Sequence, residues 1–189
     1  MKLPAHRAGL AGHAPVSRIG CGVFIHQCMR VDRGFDEAYM RMALEEAEQA
    51  GRKGEVPVGA LLIKEDRVLA RDHNRCIELN DPTAHAEVLV LRKAGKISKN
   101  YRLTHTVMYV TAEPCPMCAS AMVHGRISRL VFGTPEPKFG AVGSRFRLLQ
   151  DESLNHRVKV KGGILKEECS RILRNFFRER RGKKFGVRS

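Results

Sequence analysis

The chain predicts an α/β domain built on a largely mixed or parallel sheet. Three observations carry this. Strand-like apolar runs alternate with segments of helical period. Apolar residues make up 43% of the chain, enough for one core. The length, 189 residues, is that of about one domain.

Residues 36–50 form the first helix, because Phe35, Tyr39, Met42, Ala43, Ala47 and Ala50 recur at three-to-four spacing, and Gly51 and Gly54 close it. Segments 56–63 and 67–71 are apolar and β-prone, with Glu65-Asp66 between them as a hairpin turn. Asp81-Pro82 predicts the next helix start, Asp as N-cap and Pro at the first helical position, with the helix running to about Ala94. A strand over 107–111, a helix over 116–124 and a strand over 129–132 follow. A last strand over 158–161 precedes a helix over 164–181. There Ile164/Leu165, Ile172/Leu173 and Phe176/Phe177 recur at multiples of four, as a core-facing stripe does.

Residues 1–30 stand apart: Lys2, Arg7, Arg18 and Arg30 are basic, none is acidic, and no period emerges. They read as an unstructured basic extension, with the folded domain over 31–189, so a chain starting at Val31 is expected to work as well. The longest apolar runs, 19–25 and 107–110, fall far short of the roughly 18 residues of a membrane span. Lys+Arg 34 against Asp+Glu 20 gives a formal net charge of +14 and points to a polyanionic partner, most simply nucleic acid. The six cysteines are unevenly spaced in a chain that needs no staples, which argues for a reducing compartment, the cytoplasm.

The chemistry lies in two short segments. His85-Ala86-Glu87 lies near one helix start and Pro114-Cys115-Pro116-Met117-Cys118 at another, with 29 residues between His85 and Cys115. Cys115 and Cys118 are i and i+3, so both thiols share one helix face, and a helix N-terminus favours thiolates. Two thiolates and one imidazole leave the fourth tetrahedral position of a zinc ion open, the mark of a catalytic site. Glu87, roughly 200° around the helix from His85, is poorly placed to share the metal and well placed to take a proton from the water it activates. The pattern H-x-E…P-C-x-x-C is the known signature of zinc-dependent nucleobase deaminases.

Longer stretches narrow this. Val56-Pro57-Val58-Gly59-Ala60, Asn74-Arg75, Asp81-Pro82-Thr83-Ala84-His85-Ala86-Glu87, Asn100-Tyr101-Arg102-Leu103, Phe132-Gly133, Gly140-Ala141-Val142-Gly143-Ser144, Asn155-His156-Arg157-Val158 and Phe176-Phe177-Arg178 resemble the bacterial tRNA adenosine deaminase family. The resemblance covers residues 35–181. It implies a cytidine deaminase-like three-layer fold, a mixed five-stranded sheet flanked by helices, and a homodimer that converts the wobble adenosine of an arginine tRNA anticodon to inosine. It implies one zinc ion per subunit on His85, Cys115 and Cys118, with Glu87 as the catalytic proton shuttle. Substrate-binding roles fall by the same resemblance to Asn74 and Val58, at the base, to Ala86 beside the ligand His85, and to Lys138, facing the anticodon. Glu136 stands where the family usually has Asp, and Cys76 where Pro is expected.

The C-terminal helix points to RNA independently. Residues 164–189 hold nine Lys/Arg against three acids, and Arg178, Arg180 and Arg181 follow Phe177 closely, as a grip on phosphates and loop bases would. Two other readings share parts of this pattern. A deaminase of free bases or nucleosides has the same metal site and gains nothing from a basic helix. A zinc-stabilised RNA-binding module has no use for Glu87.

Overall fold

The computed structural model describes residues 33–185. Helix α1 (Arg33–Arg52) leads into a hairpin of β1 (Gly59–Lys64) and β2 (Arg67–His73). Then come α2 (Ala86–Ser98), β3 (Thr106–Ala112), α3 (Pro116–His124), β4 (Arg129–Thr134), a 3-10 turn (Leu148–Gln150), β5 (Lys159–Gly162) and α4 (Lys166–Phe185). The five strands form one sheet in the order β2-β1-β3-β4-β5. β1 runs antiparallel to β2 and β3, while β3, β4 and β5 are parallel, so the sheet is mixed, as expected.

The strand period of two sorts side chains into two cores. Leu61, Ile63, Tyr109 and Val131 face Met40, Ala43 and Leu44 of α1 and Cys169 of α4. Ala60, Leu62, Met108, Val110 and Leu130 face Val90 and Ala94 of α2 and Ala119 and Met122 of α3. The result is three layers, helices on both faces of the sheet. In α1 the buried stripe is Met40, Ala43, Ala47 and Ala50, and Phe35 is 60% exposed rather than part of it. The small alanines let α1 press onto β1 at Gly59, where a Cβ would lie 2.1 Å from the Ala43 carbonyl oxygen; no other residue fits.

A single carboxylate ties α1 to three strands. Buried Asp36 accepts hydrogen bonds from the Tyr109 hydroxyl (2.7 Å), from both terminal nitrogens of Arg129 (3.1 and 2.8 Å) and from Lys161 (2.6 Å). Burial alone would raise its pKa, but the bonds from Arg129, Lys161 and Tyr109 outweigh it and hold the carboxyl below its ordinary value.

The turn at Glu65-Asp66 forms as expected, with both residues at positive φ (50° and 58°), the geometry that a tight hairpin needs. The Tyr39 hydroxyl donates to the Asp66 carbonyl (2.9 Å) and fixes it against α1. The helix start expected at Asp81-Pro82 is corrected. Asp81 Oδ1 instead accepts from the backbone N–H and hydroxyl of Thr83, both at 2.7 Å, closing a local turn. Helix α2 begins at Ala86, with His85 as its N-cap.

This topology gathers the functional segments at one edge. The registers Gly59↔His73, Ala60↔Val110 and Ala112↔Thr134 put the entry to β1 beside the exits of β2, β3 and β4. Val58, Asn74, Cys115 and Glu136 all follow or precede those ends. Ligands of open α/β sheets bind at the carboxyl ends of parallel strands for the same reason.

Candidate active site

His85 and Cys115 are the N-caps of α2 and α3, each in extended backbone conformation; the His85 side chain makes no cap bond to α2, while the Cys115 sulfur takes bonds from Cys118 of α3. Both turn inward. His85 Nδ1 lies 3.7 Å from Cys115 Sγ and 3.5 Å from Cys118 Sγ, and the three ligand atoms all lie within 4.8 Å of one another. This group could hold a metal ion. Among the described residues it is the one His/Cys/Asp/Glu cluster with that geometry.

The two thiols push each other's ionisation apart. The Cys118 S–H donated to it, helped by His85, lowers Cys115 to about 4, while the same bond and then burial push Cys118 up. The His85 ring is raised, first by its bond to Cys115.

Glu87 is 4% exposed in the first turn of α2, and its carboxyl is in hydrogen-bonding reach of the Cys118 thiol. Burial raises its pKa. A buried carboxyl beside a metal-ligand cluster is placed to take up and return protons.

Asn74, also buried, accepts a 2.8 Å bond from the Ala86 N–H through Oδ1, and so caps α2 in place of His85. That bond fixes the amide: Nδ2 is left as the donor. Its own N–H donates to the carbonyl of half-buried Val58 at 3.0 Å. The structure therefore brings His85, Ala86, Glu87, Asn74, Val58, Cys115 and Cys118 together.

A second buried carboxylate, Glu113, organises the neighbouring loop. It accepts from the backbone N–H groups of Glu136, Val142 and Ser144, all at 3.0 Å, and from the Ser144 hydroxyl. Burial would raise it, yet these donors hold its pKa low. Gly140 packs so closely that a Cβ there would lie 2.5 Å from the carboxylate. Glu136 Oε1 accepts from the Lys138 N–H (2.9 Å), and Lys138 is exposed on the loop.

A profile of the MafB19-like deaminase family matches residues 35–181. The tRNA-specific adenosine deaminase of Haemophilus influenzae is 49% identical over 156 residues, covering 82% of this chain and 90% of that one. The tRNA-specific adenosine deaminase of Bacillus subtilis is 46% identical over 153 residues, covering 81% and 95%. The chain belongs to the tRNA-specific adenosine deaminase family. A solved tRNA:A34 deaminase, studied for A-to-I editing at the wobble position, superposes with a TM-score of 0.70 at 45% identity, covering 72% of this chain and 99% of that one. The guanine deaminase of Nitrosomonas europaea, at 22% identity and a TM-score of 0.65 over 74% of this chain and 83% of its own, shares the fold.

Away from the ligand cluster of this tRNA-specific adenosine deaminase family member, α4 departs from expectation. Phe176 is half-buried, but Phe177 is 42% exposed, since adjacent helical residues point about 100° apart and cannot share one face. Arg178 bonds Asn175 Oδ1 (3.0 Å). Arg180 stacks over Phe176, 5.0 Å from the ring centroid, and donates to the Gly54 carbonyl (3.1 Å), so it packs the helix end while remaining exposed. Arg181 is exposed. Sequence reasoning missed Glu113 and also Glu55. Buried Glu55 accepts the N–H groups of Ile77 and Glu78, both at 2.8 Å, and pins the loop that follows Asn74.

Proposed function

We propose that this chain catalyses zinc-dependent hydrolytic deamination of the wobble adenosine to inosine in a tRNA anticodon, with arginine tRNA as the expected substrate. The observation that carries the reading is the His85–Cys115–Cys118 triangle with Glu87 buried at its side. Tetrahedral zinc with ordinary Zn–S and Zn–N bonds needs a sulfur-to-nitrogen spacing of about 3.6 Å, and the observed 3.7 and 3.5 Å fit it. When bound there, zinc would polarise a water molecule and lower its pKa.

The chain's own residues do the rest. Glu87 takes the first proton of the attacking water as it adds to C6 and passes it to N1, then takes the second from the new C6 hydroxyl and delivers it to the leaving amine as the C6–N bond breaks and ammonia departs. Asn74 donates through Nδ2 to the base, Val58 walls the pocket, and Ala86 forms its floor at the start of α2. The base must leave its stack, which is least costly in a loop such as an anticodon. Glu136 and Lys138 contact the RNA backbone, and Phe177, Arg178, Arg180 and Arg181 extend the grip along α4, an assignment supported by the net charge of +14.

A homodimer is the expected assembly. An apolar cleft of about 630 Å³ between α2 and α3, lined by Val88, Leu91, Tyr101 and Leu103, supports it. The cytoplasm is the expected compartment, supported by the free thiols of Cys76, Cys115, Cys118 and Cys169. No helix among the described residues is long and apolar enough to cross a membrane. Inosine mapping in tRNA treated with the purified protein tests the proposal: new inosine at the wobble position is expected, and deamination of free nucleosides alone would overturn it.

A further inference from the structure

The loop between β4 and β5 forms a second feature beside the metal-ligand cluster. A cleft of about 980 Å³ is walled by Pro116, Phe146, Arg147, Leu148, Gln150 and Asp151. Pro116 is the first residue of α3, next in sequence to Cys115, so one wall of the cleft is continuous with the metal-ligand segment.

Its wall is rigid. Besides the bonds to Glu113, Arg145 and Phe146 both donate their N–H to the Gly140 carbonyl at 3.0 Å, and Leu148 N–H donates to Ala141 at 2.9 Å. Val142 and Arg147 form an antiparallel bridge. Yet Phe146 is 47% exposed on this well-held loop. A large aromatic face kept in water by an over-determined backbone is a preorganised stacking platform, because little entropy remains to be lost when something covers it.

The polar groups around Phe146 fit a nucleobase. Gln150 Nε2 donates to the Val142 carbonyl at 2.9 Å, which fixes the amide and leaves Oε1 as an acceptor. Asp151 Oδ1 accepts from the Ser153 N–H and hydroxyl, which keeps its pKa low, so its carboxylate is a further acceptor. Arg145 and Arg147 are exposed on the same loop and can meet phosphate.

We infer that the Phe146 cleft is a subsite for an unpaired nucleobase adjacent to the deaminated one in the RNA, stacked on Phe146, its exocyclic amine facing Gln150 and Asp151, and its phosphate near Arg147. This rests on the RNA reading of the metal site, which it deepens by giving the enzyme a hold on sequence context outside the reacting base.

The test uses the full chain and a fluorescein-labelled anticodon stem-loop RNA, intact or abasic at either neighbour of the target. Binding by anisotropy and inosine formation in single turnovers are read separately. Phe146→Ala should weaken binding by about 5- to 100-fold, the scale of one base–aromatic stack, with single-turnover deamination of saturated complex nearly unchanged and Phe146→Tyr close to the parent. One abasic position should weaken parental binding by a similar factor and weaken Phe146→Ala no further. Additive losses, or no abasic effect in the parent, overturn the subsite. So does unchanged RNA affinity with an altered monomer–dimer equilibrium, which would make this face an interface between copies. Should Phe146→Ala fail to fold, the same cycle with Phe146→Leu, which keeps apolar bulk and removes the stacking ring, decides. RNA binding with this pattern but without inosine would overturn the deamination reading and leave the subsite standing.

Discussion

His85 and Cys115 occupy the same position on two different helices. Each is an N-cap with φ of −73° and extended ψ, and the two side chains meet across the helix starts at 3.7 Å. An N-cap side chain normally bonds the first-turn amides, and losing that bond costs about 1 kcal/mol. Asn74 offsets the loss for α2 by accepting the Ala86 N–H. The start of α2 is therefore capped from outside, which leaves the His85 ring to face the cysteines.

Metal content should follow this geometry. The purified protein is expected to hold about one zinc per chain, and Cys115→Ala should lose zinc and activity together. Its melting temperature should also fall, because ligation joins α2 to α3. Full zinc content by atomic absorption in that variant would refute the ligand set.

Much of this was legible because catalysis here depends on side chains with distinctive chemistry at fixed spacing. Pro116–His124 is helical as read, and the Glu65-Asp66 turn lies where the apolar runs part. What the sequence hid depends on backbone partners. Glu113 and Glu55 bond to N–H groups, which every residue but proline carries, so nothing in the partners' identities marks them. Asp81-Pro82 misled because an Asx turn and a helix N-terminus use the same residues, and here the turn on Thr83 took precedence. The Phe176-Phe177 doublet looked like core, but only Phe176 turns inward. The basic extension, residues 1–30, lies outside the described residues.

Glu87→Ala should keep zinc and fold while losing deamination by about 10²- to 10⁴-fold, the usual scale of a general acid–base. Metal analysis and ammonia release on the same sample check this. Near-parental turnover in zinc-loaded protein would exclude Glu87 as the proton carrier.

Asp36→Asn should change the acid limb of stability. The folded pKa of Asp36 lies below its unfolded value of about 3.9. Its contribution is therefore complete above that value and is lost as pH falls through the folded pKa. Urea unfolding between pH 2 and pH 7, reading the ordinary range of titration, should show the parent losing stability on acidification below about pH 4 more steeply than the variant. At neutral pH the variant should be less stable by about 3–5 kcal/mol, because Arg129, 7% exposed, keeps a buried charge without its partner. Parallel acid limbs would show that Asp36 is not the group responsible.

The two arginines near the end of α4 should separate. Arg181→Ala is expected to lower tRNA affinity and flatten the slope of log K against log salt by nearly one unit, with an unchanged melting temperature. Arg180→Ala should also cost stability, about 0.5–1 kcal/mol, through its lost contact with Phe176 and Gly54. Salt titrations of tRNA binding beside thermal melts of both variants distinguish the roles.

The β1–β2 turn leaves the protein with room to become more durable. Glu65 and Asp66 hold φ of 50° and 58°, a region costly for residues with a Cβ and natural for Asn-Gly. The turn sits at the opposite end of β1 from Val58 and the metal ligands, and Tyr39 fixes its carbonyl rather than its side chains. Relieving the strain there touches nothing that binds or reacts. Any heat tolerance so gained would come without the loss of activity that usually accompanies stiffening near a catalytic centre.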